Sequence, residues 1–386
     1  MLVLSAGALL IGLGAATAQK TRKLPKPKRL DGAIELHRDA SGELRATPRG
    51  ARPRTAGRAA APEAAPVLRA QVSLVEVNCN VLRADGSQVR GLAQDAFRLF
   101  EDGAEQRIVH FDASLEPASL VLLIDASPSV LPDLAEMKRA AGALAAHLSA
   151  VDEVAVATFG SETHLLLPFT RDRAELGRAI DSVKLDLVGQ GSNIYEAIYL
   201  AARELFPGRG GRKALLLLTD GQDSGLGLSW SPESALPHGG AERDRLSFED
   251  VARALAEQGI EMDAVSTQPR PPAMTEAWLA EHAGLTLLGE KAHELGIPHY
   301  TLYLAELVRR AGGHIYFLRE IGSLSDVYQR IVAELGAQYT LGYYPAAGTS
   351  KPGWRSLRVE LAPVAQALLP VPTVRHRLAY YVPANP

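Results

Sequence analysis

The stretch Ser119-Leu120-Val121-Leu122-Leu123-Ile124-Asp125-Ala126-Ser127 decides how this chain reads. Five consecutive large aliphatic residues leave no polar face, which suits a strand buried on both sides in a parallel sheet. The run then stops at a carboxylate and a hydroxyl. Downstream, Leu134, Met137, Ala141, Leu144 and Leu148 recur at helical spacing. Glu153–Phe159 and His164–Phe169 read as strands, and Arg173–Val183 and Ile194–Phe206 as helices. Lys213–Thr219, KALLLLT, is a second strand with no polar face. Phe248–Gln258 predicts a helix, Ile260–Thr267 a strand, Tyr300–Ala311 a helix, His314–Leu318 a strand and Leu324–Leu335 a helix. This alternation predicts an α/β fold: a Rossmann-like open sheet with helices on both faces. In such sheets ligands bind beyond the carboxyl ends of the strands, where the strand order reverses.

The segments on either side read as strands without helices. Val72, Leu74, Val75, Val77 and Val81 mark one strand, Asp85-Gly86 a turn, and 95–100 with 106–111 a hairpin around Glu101-Asp102-Gly103. After Gly336, Gln338–Tyr344, Ser356–Leu361 and Val374–Val382 read as strands. Each block is too small to stand alone. They are expected to pair into one small β-sandwich into which the α/β unit is inserted. The expected division is 1–18 signal peptide, 19–68 linker, 69–116 first strand block, 117–337 α/β domain and 338–386 second strand block.

The amino-terminal MLVLSAGALLIGLGAATA is apolar, short and rich in small residues, and Ala16-Thr17-Ala18 has the small-x-small pattern of a signal-peptidase site. We expect cleavage after Ala18 and export to the periplasm, cell surface or medium. No Lys or Arg precedes the run, so retention as an anchor is the other reading. The formal net charge of −3 is unevenly spread: residues 20–69 carry 13 Lys/Arg against 5 Asp/Glu, leaving a strongly acidic body. Low aliphatic content in 19–68 predicts a disordered basic tether. It is a solubilising spacer or a contact to an anionic envelope surface. Without interleaved aromatic residues it does not read as a nucleic-acid binder. A single cysteine, Cys79, excludes an intrachain disulfide framework and a Cys-based zinc site, and its setting in VSLVEVNCNV suits a packed strand position.

Three loops carry chemistry. Asp125-Ala126-Ser127-Pro128-Ser129 ends the first buried strand and aims a carboxylate and two hydroxyls at one point. Thr219-Asp220-Gly221 ends the second and brings another carboxylate to the same edge. Gly189-Gln190-Gly191-Ser192-Asn193 offers a further hydroxyl before a helix. Each alone is ordinary: Ser and Asp cap helices, and Asp-Gly turns. Together at strand ends they form an oxygen-rich set of the kind hard divalent cations take.

The order IDASPS, GSNIYEAI, LLLLTDG resembles the von Willebrand factor type A domain and its metal-ion-dependent adhesion site. The resemblance implies a divalent ion, Mg²⁺ or else Mn²⁺ or Ca²⁺, surrounded by Asp125, Ser127, Ser129, Ser192 and Asp220. Ser192 stands where the family has Thr, and Asn193 beside it is an alternative oxygen donor. The flanks, LRADGSQVRGLAQDAFRLFEDGAEQRIVHF before and QYTLGYYP, GWRSLRVEL and VRHRLAYYVP after, resemble exported proteins of the VWFA-related acidobacterial domain family.

A hydroxyl-rich, carboxylate-poor set leaves the ion net positive, with an exchangeable position for a carboxylate from a partner. The expected function is therefore an adhesion-type module binding an Asp or Glu of a protein ligand, not an enzyme. No His lies in the three loops to act as a base. A metal-dependent hydrolase and a scaffold with a vestigial site are the alternatives. His293-Glu294 with His299 lacks the spacing of a helical zinc pair, and Gly189-Gln190-Gly191 lacks the Lys of a phosphate loop. Trp230 and Trp278, in inserts at 225–246 and 268–300, are either partner anchors or lid packing. The tyrosines at 339, 343, 344, 380 and 381 read as sheet packing first and partner contacts second.

Overall fold

The computed structural model describes residues 24–30, 34–38, 44–48, 74–83, 86–113, 117–187, 191–223, 246–275, 278, 297–318, 331, 334, 339–345, 352–370 and 372–383. In chain order the strands and helices are β1 (Lys28–Arg29), β2 (Ile34–Arg38), β3 (Leu44–Pro48), β4 (Val75–Leu82), β5 (Phe97–Glu101), β6 (Ala104–Gln106), β7 (His110–Asp112), β8 (Ala118–Asp125), α1 (Leu134–His147), β9 (Glu153–Phe159), β10 (Thr163–Thr170), α2 (Arg173–Asp181), α3 (Ile194–Glu204), β11 (Arg212–Thr219), α4 (Phe248–Gln258), β12 (Ile260–Ser266), α5 (His299–Arg310), β13 (Ile315–Phe317), β14 (Tyr339–Tyr343), β15 (Gly353–Leu361), α6 (Pro363–Leu368), β16 (Thr373–His376) and β17 (Ala379–Val382).

The main sheet runs β1-β10-β9-β8-β11-β12-β13. β9, β8, β11, β12 and β13 are mutually parallel, while β10 and β1 add an antiparallel edge. All eight residues of β8 are buried, as its unbroken apolar run demands. Alternate side chains of β8 feed two cores. Val121 and Leu123 pack in the cluster that includes α3, α4 and α5 residues, and Leu120, Leu122 and Ile124 pack with α1 and α2. Both faces are thus covered, as an α/β sheet requires. The chain leaves β8 toward β9 on one side and returns to β11 on the other. The β8–β11 boundary is therefore the point where strand order reverses, and the strand ends there face a crevice. Parallel register pairs Ile124 with Leu218 and Asp125 with Phe159, so Asp125 and Thr219 end their strands at one level.

Two antiparallel four-stranded sheets, β16-β4-β14-β7 and β17-β15-β5-β6, close a third core around Val77, Cys79, Leu99, Tyr339, Leu341, Tyr343, Leu357 and Val359. This is the expected sandwich, drawn from strands on both sides of the α/β unit. Cys79 is buried in it, and burial pushes its thiol far up, so it is held as an unionised apolar group. Tyr339, Tyr343 and Tyr380 pack here, as the first of the two tyrosine readings had it, and Tyr381 packs against Trp354, but Tyr344 departs from that reading and is exposed. Two details differ from the sequence pattern. The expected strand 106–111 splits into β6 and β7, which lie in different sheets, and Val374–Val382 breaks between β16 and β17 for the same reason. Strands that switch sheets form the corners of a sandwich, and local alternation does not register such corners.

The reading of 19–68 as a disordered tether is corrected in part. β1 pairs Lys28 with Leu165 and Arg29 with His164 at the sheet edge, and Leu30 N–H donates to the Thr163 carbonyl at 3.0 Å. Leu30 is 1% exposed, and Arg29 forms an ion pair with Glu162. β2 and β3 form a hairpin of their own. An edge strand is held by backbone hydrogen bonds, which need no apolar composition, and one buried leucine adds an anchor. The expected signal peptide, residues 1–18, lies outside the described residues. Among those described, no helix is long and apolar enough to cross a membrane.

Candidate metal centre

Asp125 closes β8 and is wholly buried. Its Oδ1 accepts a hydrogen bond from the Ser127 amide at 2.9 Å, a local turn in which the carboxylate folds back over its own loop. Its Oδ2 accepts from the Thr219 hydroxyl at 2.6 Å and from the Ser192 hydroxyl at 3.3 Å. The Ser127 and Ser129 hydroxyls lie 3.0 Å apart. Three distant loops are thereby tied to one carboxylate: the end of β8, the approach to α3 and the end of β11. Ser127 and Ser192 are buried, and Ser129 is exposed at the mouth.

Asp220 follows Thr219 and is 2% exposed. Its Oδ1 accepts from the Gln222 amide at 3.0 Å, and its charge is felt at Asp125. Gly221 takes φ of +81°, a conformation that L side chains avoid, and its amide donates to the Thr219 hydroxyl at 2.9 Å. Burial lifts the Asp125 carboxyl above its ordinary range. The Asp220 charge adds to this, while hydrogen bonds from Ser127 and Thr219 oppose it.

Two buried carboxylates therefore share a hydroxyl-lined crevice, and among the described residues neither has an ion pair. Unpaired buried charge is costly, and a divalent cation supplies the missing positive charge. The donor set fits a hard ion: all oxygen, with no sulfur or imidazole. No group of three or more His, Cys, Asp or Glu that could hold a metal occurs among the described residues, so hydroxyls must complete any cation shell.

The structure brings Asp125, Ser127, Ser129 and Ser192 together through hydrogen bonds and places Asp220 beside them on the next residue after Thr219. Asn193 is engaged elsewhere: its side-chain amide donates to the Ser161 carbonyl at 3.0 Å, and its backbone amide to the Gly160 carbonyl at 2.9 Å. Two residues play larger parts than the sequence pattern alone suggested. Thr219 is the closest partner of Asp125. Asp223 accepts from the Ile194 amide at 2.7 Å, satisfying a free N–H at the start of α3 and fastening the Ser192 loop to the β11 loop. The signal for Thr219 was its place at the end of an all-aliphatic strand. Asp223 reads from the sequence only as a loop residue that could line the rim, because its partner lies 29 positions away.

Glu162 pairs with Arg29, and His164 Nε2 stands 3.6 Å from Glu162 Oε2. Trp278 packs partly buried against the larger α/β core. Trp230, Gly189, Gln190, His293 and Glu294 lie outside the described residues.

Residues 120–222 match the model of the von Willebrand factor type A domain. No curated protein matches the chain. Solved structures are similar to this chain at low identity. An aerotolerance-related membrane protein from Bacteroides fragilis is 18% identical with a TM-score of 0.39, the match covering 56% of this chain and 98% of that one. BatB from Bacteroides thetaiotaomicron is 22% identical with a TM-score of 0.37, covering 55% and 97%. Proximal thread matrix protein 1 from the mussel byssus, solved with a zinc-occupied MIDAS motif, is 17% identical with a TM-score of 0.40, covering 61% and 49%.

Proposed function

Because this chain is a von Willebrand factor type A domain protein, matched over residues 120–222, we propose that it is an exported, metal-ion-dependent binding module whose cation accepts a carboxylate from a protein partner. The observation that carries this reading is the pair of buried carboxylates, Asp125 and Asp220, beside the hydroxyls of Ser127, Ser129, Ser192 and Thr219, neither carboxylate forming an ion pair among the described residues. Asp125, Ser127, Ser129, Ser192 and Asp220 would hold the ion, Mg²⁺ being the hard cation best suited to an all-oxygen set that leaves room for water. The ion supplies charge for a partner's Asp or Glu. Asp125 and Asp220 are its anionic anchors, and Thr219 and Asp223 hold the loops in register.

Binding is favoured over hydrolysis because hydrolysis needs a base or nucleophile within reach of the metal-bound water. Of Glu162 and His164, which follow a neighbouring strand, Glu162 is paired with Arg29 and His164 stands 3.6 Å from Glu162. Export is supported by the apolar leader and the Ala16-Thr17-Ala18 pattern, together with the resemblance of the flanks to exported family members. The basic arm supports contact with an anionic envelope surface.

Calorimetric titration with Mg²⁺ tests the reading. The wild type is expected to bind one ion, and Asp125→Ala to lose binding while keeping its circular dichroism spectrum. Unchanged affinity in Asp125→Ala would overturn the metal assignment. Turnover of phosphoester or peptide substrates by the wild type, lost in Asp125→Ala, would replace binding with hydrolysis.

A further inference from the structure

The turn between β9 and β10, Gly160-Ser161-Glu162, joins the amino-terminal arm to the metal loops. Toward the arm, Glu162 pairs with Arg29, and the Leu30 amide donates to the Thr163 carbonyl at 3.0 Å. Leu30 is buried, and Leu24 packs against the core that α1 and α2 share, so the arm lies along the domain. Toward the metal loops, the same turn braces two of the three segments that converge on Asp125. The Gly160 and Ser161 carbonyls accept from the backbone and side-chain amides of Asn193, the neighbour of Ser192, at 2.9 and 3.0 Å. The Ser161 amide and hydroxyl donate to Asp186 Oδ2 at 3.2 and 2.7 Å. The Asp186 amide in turn donates to the carbonyl of Ala126, the neighbour of Asp125, at 2.6 Å. The fit is close: a Cβ on Gly160 would stand 2.9 Å from Asp186 Oδ2.

A two-residue strand is held by few backbone bonds, and the Arg29–Glu162 pair is exposed enough to contribute little. The arm is therefore a weakly held element with two states, docked and released. Covering an open sheet edge is reason enough for a strand on β10. It does not account for a strand placed at the turn end of β10, where its bonds meet those of the metal loops. We infer that the arm is a strap on the metal centre: docking of residues 28–30 on β10 and cation binding at Asp125 favour each other through the 160–162 turn. This inference rests on the metal reading above and adds its regulation. Coupling between two sites is reciprocal, so the docked arm tightens the cation and the bound cation holds the arm down. The arm belongs to the stretch with 13 Lys/Arg against 5 Asp/Glu, and an anionic surface that draws it off β10 weakens the cation site.

The test uses the full chain, limited trypsin digestion and mass spectrometry, in Mg²⁺ and in chelator. Cleavage after Arg29 reports release of the arm. Cleavage after Arg90, exposed in the loop between β4 and β5, is the internal reference. Mg²⁺ is expected to slow cleavage after Arg29 by about fivefold or more, the low end of ordinary coupling between sites, and to leave the Arg90 rate unchanged. Calorimetry reads the same coupling from the other end. Leu30→Asp, which releases the arm, is expected to bind Mg²⁺ at least about fivefold more weakly, while Leu30→Ile binds it as the wild type does. Mg²⁺ binding by the wild type with equal Arg29 cleavage in the two conditions overturns the inference and leaves the metal reading intact. Equal slowing at Arg29 and Arg90 is general stabilisation and overturns it too, as does unchanged affinity in Leu30→Asp. Failure of the wild type to bind Mg²⁺ overturns both readings.

Discussion

The Thr219 hydroxyl donates to Asp125 Oδ2 at 2.6 Å, joining two strand ends 94 positions apart in sequence. The same hydroxyl accepts from the Gly221 amide at 2.9 Å, so one oxygen orients the first carboxylate and shapes the turn that carries the second. Thr219→Val keeps the shape and removes the oxygen. It is expected to cost ~1–3 kcal/mol of stability, the usual penalty for an orphaned buried partner. Mg²⁺ affinity is expected to fall by about 10–100-fold, the usual effect of losing a group that orients a ligand. Thr219→Ser should restore both, and calorimetry beside urea unfolding would show whether it does.

A second acidic site sets a pH dependence. Asp263 in β12 is nearly buried, and burial followed by the nearby Glu334 charge pushes its carboxyl up to about 7. The His314 amide donates to its Oδ1 at 2.8 Å, and Arg375 of β16 pulls in the opposite direction while pairing with Glu334 at 3.0 Å. Because the folded value exceeds the unfolded one, this group's stabilising contribution is complete below about 4 and is lost as pH rises through about 7. Asp263→Asn keeps an acceptor for His314 and does not titrate. Denaturation midpoints for the variant and wild type should therefore diverge between pH 4 and pH 7, the variant gaining on the order of a few kcal/mol by pH 8. Parallel curves across that window would contradict the account.

The docking of the basic arm predicts protection from proteolysis. Lys28 and Arg29 sit in a paired edge strand beside the buried Leu30. Leu30→Asp would bury a charge and is expected to release the strand, as the cost exceeds the few backbone bonds that hold it. Trypsin should then cut after Lys28 and Arg29 at least about tenfold faster in the variant. Equal rates in the two proteins would show that the arm is not held at this edge.

The β12–β13 pairing leaves no room for a side chain at Gly313. A Cβ there would stand 2.0 Å from the Met262 carbonyl oxygen and 2.7 Å from Asp263 Oδ1. Gly313→Ala must push a backbone carbonyl aside and is expected to cost ~3 kcal/mol or more. Gly177, with open space around its position in α2, serves as the control. Gly177→Ala should leave the melting temperature unchanged or raise it, by about 1 kcal/mol of helix propensity.

Much of this protein was legible from local pattern. Leu120–Ile124 and Leu215–Leu218 have no polar face, so they had to lie inside a doubly covered sheet, and the Asp and Ser residues that end them had to emerge at its edge. That reasoning reached Asp125, Ser127, Ser129 and Asp220, because strand ends in an alternating α/β chain point the same way; Ser192 came from its glycine-rich loop before a helix and from the resemblance to the von Willebrand factor type A site. What tertiary structure alone decided has a common cause: each such feature depends on a partner far along the chain. Arg29 and Leu30 look like tether until β10 offers an edge, and Asp223 looks like a loop residue until Ile194 presents a bare amide. Asp263 looks like a polar interruption in a strand until Glu334 and Arg375 arrive from elsewhere. Periodicity reports which face of an element is apolar; only the folded chain determines what stands opposite a given hydrogen-bonding group or charge.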